Sequence, residues 1–248
     1  MSAIYILWLR QIKKYWRSKA RIIGSLGQPI LFLLAFGFGF GPIFSKAGAG
    51  DYLNFLAPGI IGMAIIFSAM FAGIEVIWDR QFGFLKETLV APVSRWNIAL
   101  GRTIGGATIA LFQGVIVFLL SLLIGFHPAS WVVLPLVLVV MFLIAVLFTA
   151  LGTAIAVNMR DMQAFPIIMN FIMMPLFFLS GALFPITGLP KGLATVIKLN
   201  PLSYGIDAVR GLLTGTYSFA LGADILVIAI ASIVLLGIAT ALFNKIEA

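Results

Sequence analysis

The 248-residue chain contains no cysteine. Disulfides, thiolate nucleophiles and thiolate metal sites are therefore excluded, and cysteine usage says nothing about redox compartment. There is one histidine, His127, placed before Pro128 in a short break between apolar runs. Metal and proton-relay chemistry usually needs companions, so His127 reads as a loop residue. Charge is scarce as well: Asp, Glu, Lys and Arg make up 10% of the chain, where a soluble domain carries about 25%. No G-x-x-x-x-G-K-[ST] loop is present to cradle ATP, and no H-E-x-x-H or paired carboxylate suggests an intramembrane enzyme. No apolar run holds an acid at its middle. Glu75 lies near the end of one, four residues before Asp79. Ion-coupled carriers usually show such a group, and often a repeat of three-span halves, which is also missing.

What remains is apolar. Hydrophobic residues account for 62% of the chain and its mean hydropathy is +1.16. A surface this poor in charge must face lipid, so the fold class is an all-α polytopic membrane protein. About 20 apolar residues cross the hydrocarbon core as a helix. Uncharged stretches of 24, 23, 57, 29 and 20 residues follow Arg21, Asp51, Arg102, Asp161 and Asp224, and the longest breaks near His127. Six transmembrane helices are expected, at roughly 22–44, 53–77, 103–126, 131–157, 164–184 and 223–243. An even number puts both termini on one side. With the termini inside, twelve cations are internal and four (Lys46, Lys191, Lys198 and Arg210) external. That bias makes the termini cytoplasmic. Ala47-Gly48-Ala49 resembles a signal cleavage site, but the preceding apolar stretch is too long for a signal core.

Six of the 16 basic residues lie in the first 21 positions. On a helical wheel Ile4, Trp8, Ile12, Tyr15 and Trp16 share one face and Arg10, Lys13, Lys14 and Arg17 the other. Burying six cations would cost about 15 kcal/mol at about 2.5 kcal/mol each. The clustering also favours an anionic membrane face over nucleic acid. This segment is expected to lie flat at the interface, as a topology anchor or as a lever moved from below, and to turn into the first span around Gly24–Pro29.

Between spans two and three, Trp78, Phe82, Leu85 and Leu89 form a narrow stripe expected to pack inward. Pro92 ends the helix and biases Ala91 away from the α region. Phe84 falls off the stripe, among Arg80, Glu87 and Thr88, and reads either as an accident or as a plug for a partner's groove. Asp79-Arg80-Gln81-Phe82-Gly83-Phe84-Leu85-Lys86-Glu87, Ala91-Pro92-Val93-Ser94-Arg95-Trp96 and Gly101-Arg102 resemble the permease subunits of ABC type 2 exporters, most closely the daunorubicin-resistance and nodulation-factor branch. Asn200-Pro201-Leu202-Ser203-Tyr204-Gly205-Ile206-Asp207-Ala208-Val209-Arg210 is similar to that family too, and the resemblance covers essentially the whole chain as a single transmembrane domain, 1–248. It implies a coupling helix over 79–92, with Asp79, Arg80, Gln81, Gly83, Phe84, Lys86, Glu87 and Thr88 meeting a separate ATP-binding subunit present in two copies. It implies that ATP and Mg sit on that partner while this chain binds no cofactor. It further implies a dimer with a second permease chain, itself in preference to a sister chain, exporting substrate across a prokaryotic cytoplasmic membrane.

Residues 185–222 are too polar to span and too apolar for a free loop. Helices at 190–199 and 202–214, divided by Asn200-Pro201, would dip in and return, or else form an ordinary amphipathic loop. The resemblance implies re-entrant helices with Asn200, Pro201, Tyr204, Asp207 and Arg210. Asp207 and Arg210, at i and i+3, are spaced to pair. In span five, Asn170 with Met173, Met174, Phe177 and Phe178 suits either a substrate pathway for varied apolar groups or ordinary packing. Gln113 reads as an interhelical hydrogen-bonding residue, and Gly101-x-x-x-Gly105 as a close-packing motif. The reading is a permease for an amphipathic or lipid-linked substrate. An ion-coupled carrier and a membrane scaffold are the alternatives.

Overall fold

The computed structural model describes residues 2–46, 51–90, 92–186 and 188–244. Ala47-Gly48-Ala49, Ala91, Lys245 and the side chains of Lys46, Lys86 and Leu89 lie outside the described residues. The described secondary structure is entirely helical, in the order α1 Ala3–Arg17, α2 Lys19–Lys46, α3 Tyr52–Phe71, α4 Ile74–Gln81, α5 Phe84–Val90 and α6 Arg95–Ile124. It continues with α7 Leu134–Asn158, α8 Ala164–Phe178, α9 Lys191–Leu199, α10 Pro201–Thr214 and α11 Leu221–Asn244.

Among the described residues, five segments are long and apolar enough to cross a membrane: Lys19–Gly41, Tyr52–Gln81, Arg95–Ile124, Leu134–Asn158 and Leu221–Asn244. They correspond to expected spans one to four and six. The fifth differs from expectation. Helix α8 has 15 residues, about 22 Å at 1.5 Å per residue, which is short of a 30 Å core. Hydropathy counted residues 179–184 as helix because they are apolar, yet the chain turns there, with Gly181 at φ +71°. The carbonyls freed by this early stop find donors on α10. Asn200 Nδ2 donates to Leu176 O (2.6 Å) and Leu179 O (2.9 Å), while its Oδ1 caps α10 by accepting from Leu202 N. Arg210 donates to Gly181 O, Ala182 O and Phe55 O. Non-helical backbone away from water survives only when so satisfied.

Helix α10 is buried among α3, α7 and α11, not laid over the outside. Its Asp207 does not pair with Arg210 among the described residues. The carboxylate accepts from the backbone N–H groups of Ser218 and Phe219 at 2.8–3.0 Å. The guanidinium lies over the Phe55 ring at 4.0 Å. The i, i+3 spacing allowed a pair, but each group instead bonds to backbone elsewhere in the chain. Burial lowers the Arg210 pKa to about 10 against the opposing influence of Asp207 and Tyr52, so it stays charged at neutral pH. Tyr204, next on the same helix, donates to Lys198 O and stacks on Phe219.

The bundle is held by close helix approach. A Cβ on Gly73 would stand 2.4 Å from Gly152 O, and one on Gly152 would stand 2.4 Å from Met70 O. Gly101 and Gly105 have a related role: their missing side chains make room for Ile4, Leu7 and Gln11 of α1. Farther along, Trp8 Nε1 donates to Thr108 Oγ1, Tyr15 OH donates to Gln113 Oε1, and Trp16 meets the Phe112 ring. These pairs advance together along both helices, so α1 lies lengthwise against α6 rather than flat across the bundle end. The packed face is turned from the one the wheel suggests: Leu7 and Gln11 enter the groove beside Ile4, while Tyr5 and Trp16 stay exposed.

Candidate functional site

The segment joining α4 to α5 is a bent elbow. Gly83 adopts φ +82°, a region closed to most side chains, and so resets the helical phase between Gln81 and Phe84. The single stripe expected across Trp78, Phe82, Leu85 and Leu89 is thereby broken. Leu85 is buried, as that stripe required, but Phe82 is 72% exposed. Phe84 is half-exposed, with the Arg10 guanidinium 5.3 Å from its ring centroid, and Glu87 and Val90 are exposed beside it. Thr88 bonds back to Phe84 O within α5.

The root of the elbow is clamped. Asp79, 5% exposed, accepts from Arg102 Nη2 of α6 and from Arg10 of α1 at 2.9 and 3.3 Å. One turn earlier Glu75 meets Arg21 Nη1 at 3.1 Å and Lys14 Nζ at 3.8 Å. Arg80 points the other way and donates to Val157 O (2.8 Å) and Met159 O (2.9 Å) at the end of α7, and Gln81 reaches Arg160 O. Arg95, at the start of α6, donates to Asn244 O at the end of α11. The starts of α1 and α6, the ends of α7 and α11, and the elbow therefore gather at one end of the bundle.

The proposed coupling residues thus separate into two groups. Phe84 and Glu87 stand on the outer surface, joined by Phe82 and Val90. Asp79 is buried and Arg80 half-buried in bonds within the chain, while Gln81 is exposed and reaches Arg160 O. The sequence does carry a signal for the clamp that went unread: Glu75 and Asp79 are four apart, as are Arg10 and Lys14, giving two opposite-sign pairs at matching pitch. The exposure of Phe82 needed the Gly83 phase break.

A family model, "ABC-2 type transporter", matches residues 2–214. The chain belongs to the ABC-2 type transporter family. Among the relatives of this ABC-2 chain, a putative transport permease ycf38 of Pyropia yezoensis is 33% identical over 216 residues, covering 85% of this chain and 73% of the relative. Nodulation protein J of Rhizobium leguminosarum bv. trifolii is 27% identical over 213 residues, covering 85% and 78%. The inner membrane transport permease YadH of Escherichia coli is 29% identical over 211 residues, covering 84% and 81%. The matched region includes α1, the elbow and the α9–α10 pair.

In this ABC-2 permease the α8 residues fall on two faces. Met173 and Phe177 are buried with Met169 in the subunit core. Asn170, Met174 and Phe178 form the neighbouring stripe, about 100° round the helix, with Asn170 and Phe178 exposed and Met174 half-buried. Gln113 does bridge helices: it accepts from Tyr15 and exchanges hydrogen bonds with Ser25 of α2.

Proposed function

We propose that this permease is the membrane half of an ATP-driven exporter. It works with a second permease chain, a copy of itself in preference to a sister chain, and with two copies of a separate subunit that binds ATP and Mg. Its substrate is amphipathic or lipid-linked, of drug, polyketide or glycan type, and it acts in a prokaryotic cytoplasmic membrane with both termini inside. The observation that carries this reading is the elbow. Phe82, Phe84 and Val90 expose large apolar surface around Glu87 on a segment whose root is ion-paired to α1 and α6 and hydrogen-bonded to α7. A force on that surface is delivered to three helices at once. Aromatic residues in such a position are favoured anchors for a protein partner.

The test is co-purification of an ATP-binding subunit with this chain from its native membrane, followed by transport in vesicles. Phe82→Ala/Phe84→Ala should weaken the complex and stop ATP-driven export while leaving the amount of folded permease unchanged. Transport by the purified chain on a proton gradient alone would replace this reading with an ion-coupled carrier.

A further inference from the structure

Helix α2 approaches α3 closely in one half. Toward the α3 start, Leu33 is fully buried, a Cβ on Gly37 would touch Leu53, and Phe40 meets Tyr52. Toward the elbow the two helices border a cleft of about 480 Å³. That volume lies within the range of small-molecule sites, about 300–1,000 Å³. One wall is apolar, formed by Met63, Phe67, Phe71 and Ile74. The other carries Arg21, Ser25 and Gln28, with Gln113, 1% exposed, at the back.

Two features point to a ligand. Gln28 and Ser68 both line the cleft, and neither side chain makes a hydrogen bond among the described residues. Polar groups left in a mostly apolar cleft are costly unless something supplies partners. The mouth is also electropositive. Lys14 and Arg21 share the single acid Glu75, and Lys14 sits 5.0 Å from the Trp78 ring centroid, which marks that rim. Basic pockets between membrane helices are known to hold anionic lipid head groups, and Trp favours headgroup depth.

We propose that the α2–α3–α4 cleft binds an anionic amphiphile, with its acidic head at Arg21 and Lys14 and its apolar chain along Met63–Phe71. Ser68 and Gln28 would bond the linking oxygens between head and chain. This site is separate from the α8 residues. It stands on this chain's own geometry, so it survives even if the elbow docks no ATPase.

The test uses the full-length chain in nanodiscs carrying photoreactive phosphatidylglycerol or phosphatidylcholine, labelled on the acyl chain. Phosphatidylglycerol should label residues 24–29 and 63–71 at least five-fold more than phosphatidylcholine. Arg21→Gln should remove that preference, and Ser68→Phe, which fills the cleft, should cut labelling at least five-fold. Gln28→Leu gives a second, milder variant should the filled cleft misfold, and is expected to reduce labelling about two-fold. Equal labelling by both lipids, or labelling unchanged in every variant that remains folded, would overturn the proposal. Adding the ATP-binding subunit and ATP then separates two sources of the same chemistry. Movement of the probe to the opposite leaflet identifies a loading site for exported amphiphile, and retention identifies a resident membrane lipid; each upholds the site.

Discussion

Replacing Asp79 by Asn tests whether this acid is a fastener or a docking residue. The substitution keeps the side chain's size and removes its charge. Arg102 is 4% exposed, and Asp79 is the only acid paired with it among the described residues. Stripping the partner from a buried pair leaves an uncompensated charge, which costs about 3–5 kcal/mol. The Arg10 arm adds little, because its side chain is 39% exposed and such pairs contribute roughly 0–1 kcal/mol. With about 2–4 °C per kcal/mol for a chain of this size, Asp79→Asn should lower the melting temperature by about 6–20 °C. Arg10→Gln should lower it by less than about 4 °C. Adding Arg102→Gln to Asp79→Asn removes the stranded charge and should recover at least half the loss, a non-additivity expected of residues in direct contact. The assay is thermal unfolding of the purified permease followed by tryptophan fluorescence. A melting temperature within about 2 °C of the parent, together with lost ATPase binding, would refute the reasoning and return Asp79 to the partner surface.

Further outcomes follow from the same geometry. Phe82→Asp should leave folded yield near normal because the ring is mostly exposed, whereas Leu85→Asp should reduce it sharply; quantitative immunoblotting of membranes distinguishes them. Gly152→Val should destabilise the bundle, since its first side-chain carbon already meets Met70 O at 2.4 Å, and loss of monodisperse protein on gel filtration is the readout. Cysteines placed at Ser94 and Thr216 of this cysteine-free chain should report opposite sides. Impermeant maleimide on intact cells should label Thr216→Cys and spare Ser94→Cys, and the reverse pattern would overturn the cytoplasmic assignment of the termini.

Composition and the spacing of charge were enough to determine the class and most of the architecture. Lipid admits only helices and closed barrels as spanning structures, so apolar runs of 20 uncharged residues or more read as helices, and the gaps between charges delimit the crossings. The same economy marked α1, the elbow and the α9–α10 pair, because each carries polar groups where the neighbouring segments have none. Tertiary structure decided what those groups do. Hydropathy cannot register that α8 stops early, since the turn after it is as apolar as a helix and its carbonyls are satisfied by Asn200 and Arg210 from the next segment. A helical wheel assumes one unbroken phase, which Gly83 interrupts, so the exposed faces of Phe82 and Phe84 depend on a backbone angle. In the sequence Glu75 stands as an acid near the end of an apolar run, and Asp79 as a residue of the expected coupling helix. Only the docking of α1 into the Gly101–Gly105 groove brings Arg10 and Lys14 over them and turns two lone acids into the clamp of the elbow.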